Sequence, residues 1–221
     1  MNIVKWASGV ACLCVAAHAA AADPGFYVTG SLGTTTEEPK SRGINISNGF
    51  GVYHATPDRV EVDDGDLAWS VGLGYRVSRY LAAEVEYVDF GTTDISEHYI
   101  IGTTGPFPLP TDIDLQFSSN VTGPVLSVLG TWPVSKHFEL FVRGGALFAS
   151  REYSSPGDYA SIGGSQKFAD TVWIAGAGAT WSFAKRWAIR AEYQRTGTLD
   201  QTILSGETEL ERMSLGALLS F

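Results

Sequence analysis

Few residues of this 221-residue chain have the type and spacing that chemistry requires. Beyond position 22 the histidines are His54, His98 and His137. Ser96 stands two residues before His98, a spacing that can bring a nucleophile within hydrogen-bond reach of a base. No His-Glu-x-x-His, Gly-x-Ser-x-Gly or glycine-rich phosphate loop occurs. Glu61, Asp63, Asp64 and Asp66 offer oxygen ligands of the kind Ca²⁺ takes, but their spacing departs from an EF-hand loop, and a solvated acidic loop is the favoured reading. The sequence therefore names no catalytic residue, no metal ligand and no cofactor, and the chain is read as a non-enzyme. What remains is ionic. Arg76, Glu84, Glu86, Glu139, Arg143, Arg190 and Glu192 each sit inside an alternating segment, and Arg212 directly precedes one. Gathered away from water, four acids and four arginines either pair as structural glue or line a gated ion or proton path. Pairing is the favoured reading, because an unpaired buried charge is costly.

The elements that carry these charges have a period of two. In Leu67–Val77 the odd positions are apolar or aromatic and the even ones small or charged, which is strand alternation. Leu81–Tyr87, Phe138–Ala146, Trp173–Trp181, Trp187–Gln194 and Met213–Phe221 repeat it. A soluble strand usually runs five or six residues, whereas about nine to eleven tilted residues cross a membrane. Several segments here reach that length.

An internal repeat joins them. Tyr75–Leu81, Trp132–Phe138 and Trp181–Trp187 each connect two alternating segments through a tight turn with a small residue and a base. Three such hairpins make six strands, and Phe26–Gly33 and Met213–Phe221 make eight. The other connections, approximately Thr34–Asp66, Thr92–Asp114, Ser154–Lys167 and Thr196–Glu209, are long and polar. Short turns on one side and long loops on the other is the asymmetry of an outer-membrane barrel, with an even strand number. Pro124 falls inside the fourth strand, where a residue without an N–H interrupts regular pairing or needs a bulge.

The first 22 residues read as a cleaved secretory signal peptide. Lys5 precedes about a dozen apolar residues, too few to span a bilayer as a helix, and Ala20-Ala21-Ala22 fits a cleavage site before Asp23. Cys12 and Cys14 both lie inside it, so residues 23–221, read as one barrel domain, have no disulfide. A net charge of −9 argues against nucleic acid as a partner. Charged residues are 18% of the chain, below the roughly 25% of a soluble domain.

The succession Gly25–Gly33, Trp69–Glu86 around Val77-Ser78-Arg79, and a final Phe resembles the OmpA-like transmembrane barrel family of Gram-negative bacteria, over nearly all of residues 23–221. The ending Ser214-x-Gly216-x-x-Leu219-x-Phe221 resembles the signal by which the barrel assembly machinery takes up its clients. The resemblance implies an integral outer-membrane protein, with lipids and lipopolysaccharide around it and with assembly machinery and periplasmic chaperones as transient partners. In one respect the chain departs from the two-domain members: no periplasmic peptidoglycan-binding domain is expected after Phe221. Some eight-stranded barrels of this kind modify lipid A with a Ser–His pair, for which Ser96 and His98 are the candidates here.

The expected fold is an all-β, eight-stranded antiparallel up-and-down transmembrane barrel with short periplasmic turns and long extracellular loops. Its apolar face meets lipid, and aromatics mark the strand ends on both sides, as at membrane interfaces. The opposite face fills a narrow lumen with the eight charged residues. The expected role is structural or surface-related: membrane integrity, adhesion, or contact with a host or surface ligand through the loops. The rivals are a narrow channel or transporter for ions or small apolar compounds, and a lipid A-modifying enzyme.

Overall fold

The computed structural model describes residues 24–40, 44–48, 51–55, 57–63, 66–100, 112–154, 166–200 and 207–221. Residues 1–22, expected as a signal peptide, lie outside the described residues. Eight long strands form the wall: β1 (Gly25–Lys40), β2 (Leu67–Ser78), β3 (Leu81–Ile100), β4 (Asp112–Pro133), β5 (Phe138–Ser154), β6 (Gln166–Ser182), β7 (Trp187–Thr196) and β8 (Glu207–Ser220). Each pairs antiparallel with its sequence neighbour, and β8 returns to β1 from Tyr27–Ser220 to Lys40–Glu207. The sheet is thus closed.

Alternation sets the two faces. Along β7, Trp187, Ile189, Ala191, Tyr193 and Arg195 point out, while Ala188, Arg190, Glu192, Gln194 and Thr196 are buried. Along β2 the same parity exposes Trp69, Val71, Leu73 and Tyr75. Val71, Leu140 and Ile189 are 50%, 46% and 37% exposed and Ser70 only 6%, so the apolar set faces outward, opposite to a soluble apolar-cored barrel. Phe26, Tyr75, Trp132, Trp181, Trp187 and Phe221 are exposed beside the short turns, and Trp69, Tyr87, Phe148, Trp173 and Tyr193 at the other end of the band. Two such girdles are the signature of membrane interfaces.

The wall runs further than the apolar alternation. β1 continues through Thr34–Lys40, and β3 and β4 remain paired out to Ile100–Asp112. Segments expected as loop are therefore strand. The reason is physical: past the girdle the outward residues, such as Thr34, Thr36 and Asp94, are polar, so hydrophobic contrast vanishes while the ladder goes on. Pro57–Asp63 pairs with the outer part of β3, and Ile44–Asn48 pairs with Gly51–Ala55. Leu199–Asp200 pairs with the start of β8 and places Leu199, 1% exposed, in the barrel mouth.

Two irregularities mark the middle of the wall. The β3–β4 register shifts between Asp89 and Thr92, where Gly91 has φ 82°, a left-handed conformation that suits glycine. Asp89 Oδ1 accepts the Gly91 N–H at 2.9 Å, and Asn120 Nδ2 donates to Asp89 Oδ1 and to the Gly91 carbonyl at 3.2 and 3.1 Å. At Pro124 the pairing with β5 passes from Thr122–Ser150 to Val125–Leu147, skipping two residues without a change of register. The β3 side stays paired, Tyr87 to Pro124.

Candidate functional site: the charged lumen

Inward residues stack in layers along the barrel axis. At the periplasmic end Arg76 reaches across to Glu139 with two parallel bonds of 2.9 and 2.8 Å, the fork geometry that suits guanidinium and carboxylate. Above it lies an apolar layer of Tyr27, Ala82, Leu129, Phe141, Ala188 and Leu218. Its two rings occupy space that glycines leave. A Cβ on Gly74 would lie 2.1 Å from the Tyr27 ring, and one on Gly178 2.6 Å from the Phe141 ring.

The ionic layer comes next. Arg143 on β5 is its hub: its guanidinium lies 2.6 Å from Glu84, 2.8 Å from Glu86 and 2.7 Å from Glu192. Glu84 on β3 also receives Arg190 Nη1 at 2.7 Å and the Tyr27 hydroxyl at 2.5 Å. Arg190 sits 4.8 Å from the Phe141 ring centroid, within reach of a cation–π contact. Neither β5 nor β7 neighbours β3, so these bonds span the lumen. Arg212 differs from the other arginines. Its Nη1 donates to the neutral Gln194 Oε1 at 3.3 Å and its Nη2 to Ser31 Oγ at 2.7 Å. A cavity of about 10 Å³ lies beside it, the room of one water molecule. Three carboxylates and three guanidiniums make the layer neutral, and all six are at most 8% exposed.

A second apolar layer follows, formed by Val88, Phe90, Val121, Val125, Leu147, Ala149, Val172, Ile174, Leu199 and Leu210. Within it Arg151 pairs with Glu37 and donates from Nε to Ser119 Oγ at 2.9 Å; both charges are at most 4% exposed. At the extracellular lip, Arg195 donates from Nε to Glu209 Oε2 at 3.1 Å and lies 3.5 Å from Glu211. Hydrogen bonding to Glu209 holds its guanidinium above the ordinary range.

Of the eight charges singled out from sequence, six share the ionic layer and two, Arg76 and Glu139, form a separate pair nearer the periplasm. Sequence reasoning missed Tyr27, Ser31 and Gln194 as partners, and missed the Glu37–Arg151 pair altogether. Inward parity carried along β1 from Tyr27, and along β5 from Arg143, reaches Glu37 and Arg151. Elsewhere, Ser96 and His98 lie two apart on the outer part of β3, and His137 is exposed at a turn. Glu61 and Asp63 are exposed on the short strand beside β3. His54 lies in the Gly51–Ala55 strand. Ser214 and Gly216 point inward, while Leu219 and Phe221 lie on the outward side of β8.

A family model of the outer membrane protein beta-barrel domain matches residues 7–221. The chain belongs to that family. Among solved structures it is similar to Neisserial surface protein A, at 12% identity and TM-score 0.52, covering 89% of this chain and 97% of that one. It is similar also to the outer membrane protein OprG of Pseudomonas aeruginosa, at 8% identity and TM-score 0.53, covering 91% and 98%. No curated protein matches the chain. Family and fold together place the barrel in the outer membrane, its apolar band against lipid.

Proposed function

We propose that this barrel is a closed membrane scaffold with a surface role: membrane integrity, adhesion, or contact with a host or surface ligand through its extracellular segments. The observation that carries this reading is the neutral ionic layer held by Arg143. Side chains from β3, β5, β7 and β8 meet across the axis there, and apolar layers close it above and below. Such an interior supports a rigid wall better than a pore, since an eight-stranded barrel leaves little more than the space its side chains fill. The purified protein is expected to show no unitary conductance in planar bilayers. Stepwise porin-like currents would overturn the reading, and a changed lipid A mass on expression would favour a lipid-modifying enzyme.

Biogenesis fits the same reading. Lipopolysaccharide, periplasmic chaperones and the barrel assembly machinery are the expected partners, with Ser214, Gly216, Leu219 and Phe221 as the assembly signal. Phe221 is 72% exposed and its N–H closes the last ladder bond to the Phe26 carbonyl at 3.0 Å. Deleting Phe221 is expected to reduce sharply the heat-modifiable barrel seen on unboiled gels of outer membranes.

A further inference from the structure

The periplasmic mouth of the barrel opens onto a cavity of about 430 Å³. That size lies within the usual range for small-molecule sites, roughly 300–1,000 Å³. Its floor is the apolar layer carrying Tyr27, Ala188 and Leu218, so it is a cup rather than the entrance to a passage. Its charge is opposite to that of the protein. The chain carries −9 overall, and Asp58, Glu61, Asp63, Asp66, Asp94 and Glu152 are exposed at the extracellular side. The cup is lined by Arg76, Arg79, Lys136, Lys185 and Arg186 against a single side-chain carboxylate, Glu139, which Arg76 already occupies. Lys136, Lys185 and Arg186 are exposed, and among the described residues no carboxylate lies within ion-pair distance of any of them.

We propose that this cup is an anion-binding site for a phosphate ester, held by Arg79, Lys136, Lys185 and Arg186. Each of the three tight turns contributes, so closing the barrel is what brings the bases together. Guanidiniums bind phosphate oxygens through paired N–H donors and ammonium groups act as point charges. Several cations around one space favour a multi-oxygen anion over a carboxylate. The rim carries Phe26, Phe138 and Phe221 at the level of the lower girdle, ready for the apolar part of an ester. The ester is either a phospholipid headgroup of the adjacent leaflet or a soluble periplasmic phosphate.

The test uses the folded full barrel. In neutral detergent, glycerol phosphate is titrated by calorimetry. In parallel, native mass spectrometry compares lipid retained from phosphatidylglycerol and phosphatidylcholine nanodiscs. The triple variant Lys136→Gln, Lys185→Gln, Arg186→Gln is expected to weaken whichever binding is seen by about tenfold or more. Lys167→Gln, at the opposite end, is expected to leave it unchanged. Binding of glycerol phosphate supports a soluble ester, and selective retention of phosphatidylglycerol alone supports a headgroup. Wild-type binding must also fall steeply as salt rises, since the cations are solvent-exposed, which tests the site should the triple variant not fold. No binding in either format, binding insensitive to salt, or equal binding by the folded triple variant overturns the proposal.

Discussion

The ionic layer and the apolar layer above it share β3, β5 and β8 at the same inward parity, yet their chemistries are opposite. Around Arg143 the barrel is charged inside and apolar outside. From the level of Val88, Leu147 and Ile174 upward it is mainly apolar inside, apart from the Glu37–Arg151 pair, and, past the upper girdle, polar outside. The difference teaches that the wall is indifferent to which face is apolar and that the surroundings decide. Within the bilayer the outward positions must satisfy lipid, and the lumen can accept charges only because they neutralise one another. Above the bilayer the outward positions meet water, and apolar burial holds the lumen together around the Glu37–Arg151 pair.

The contrast can be broken most forcefully at Arg143. Arg143→Ala leaves Glu84, Glu86 and Glu192 buried together with one fewer cation. It is expected to cost about 3–5 kcal/mol in a lipid-refolding titration with urea. Full stability would mean that water already solvates the layer. On the outer face, Val71→Arg, Leu140→Arg and Ile189→Arg are each expected to cost roughly 2–4 kcal/mol near the midplane. Equal tolerance at all three, measured in the same titration, would reverse the assignment of faces. Leu147→Ala in the upper layer removes apolar volume without stranding a charge. A loss of about 2 kcal/mol is expected, at the low end for such truncations. A loss as large as that of Arg143→Ala would erase the distinction between the layers. Lys167→Ala removes an exposed ion pair with Glu152 (2.9 Å), and a shift within about 0.5 kcal/mol is expected.

Legibility followed the same boundary. Where lipid forces apolar residues outward, as in Leu67–Val77 and Trp187–Gln194, the period of two exposes strand, face and lumen residue alike. The three tight turns were readable because each repeats a small residue and a base between two such runs. Where the outward face meets water the contrast is lost. Thr34–Lys40 and the outer part of β3 therefore read as loop, and Glu37 went unnoticed with them. Contacts across the lumen were readable only as a set. The sequence shows that charges share a face but not their rotation around the axis, so Arg143 as hub and Arg212 on neutral partners needed coordinates. The Asp89–Gly91 bulge was invisible for another reason: one glycine among 25 does not announce a positive φ.

The β3–β4 ribbon has a consequence for distance. From Tyr87 in the upper girdle to Ile100 the strand climbs about 13 residues, and at roughly 3.3 Å each with a tilt near 40° this is a height of roughly 30 Å. Its last described pair, Ile100 with Asp112, is held in the ladder well clear of the headgroups. A ladder paired out to that point is a stiff mast rather than a tether, and it holds outward residues such as Asp94 at a fixed height above the girdle.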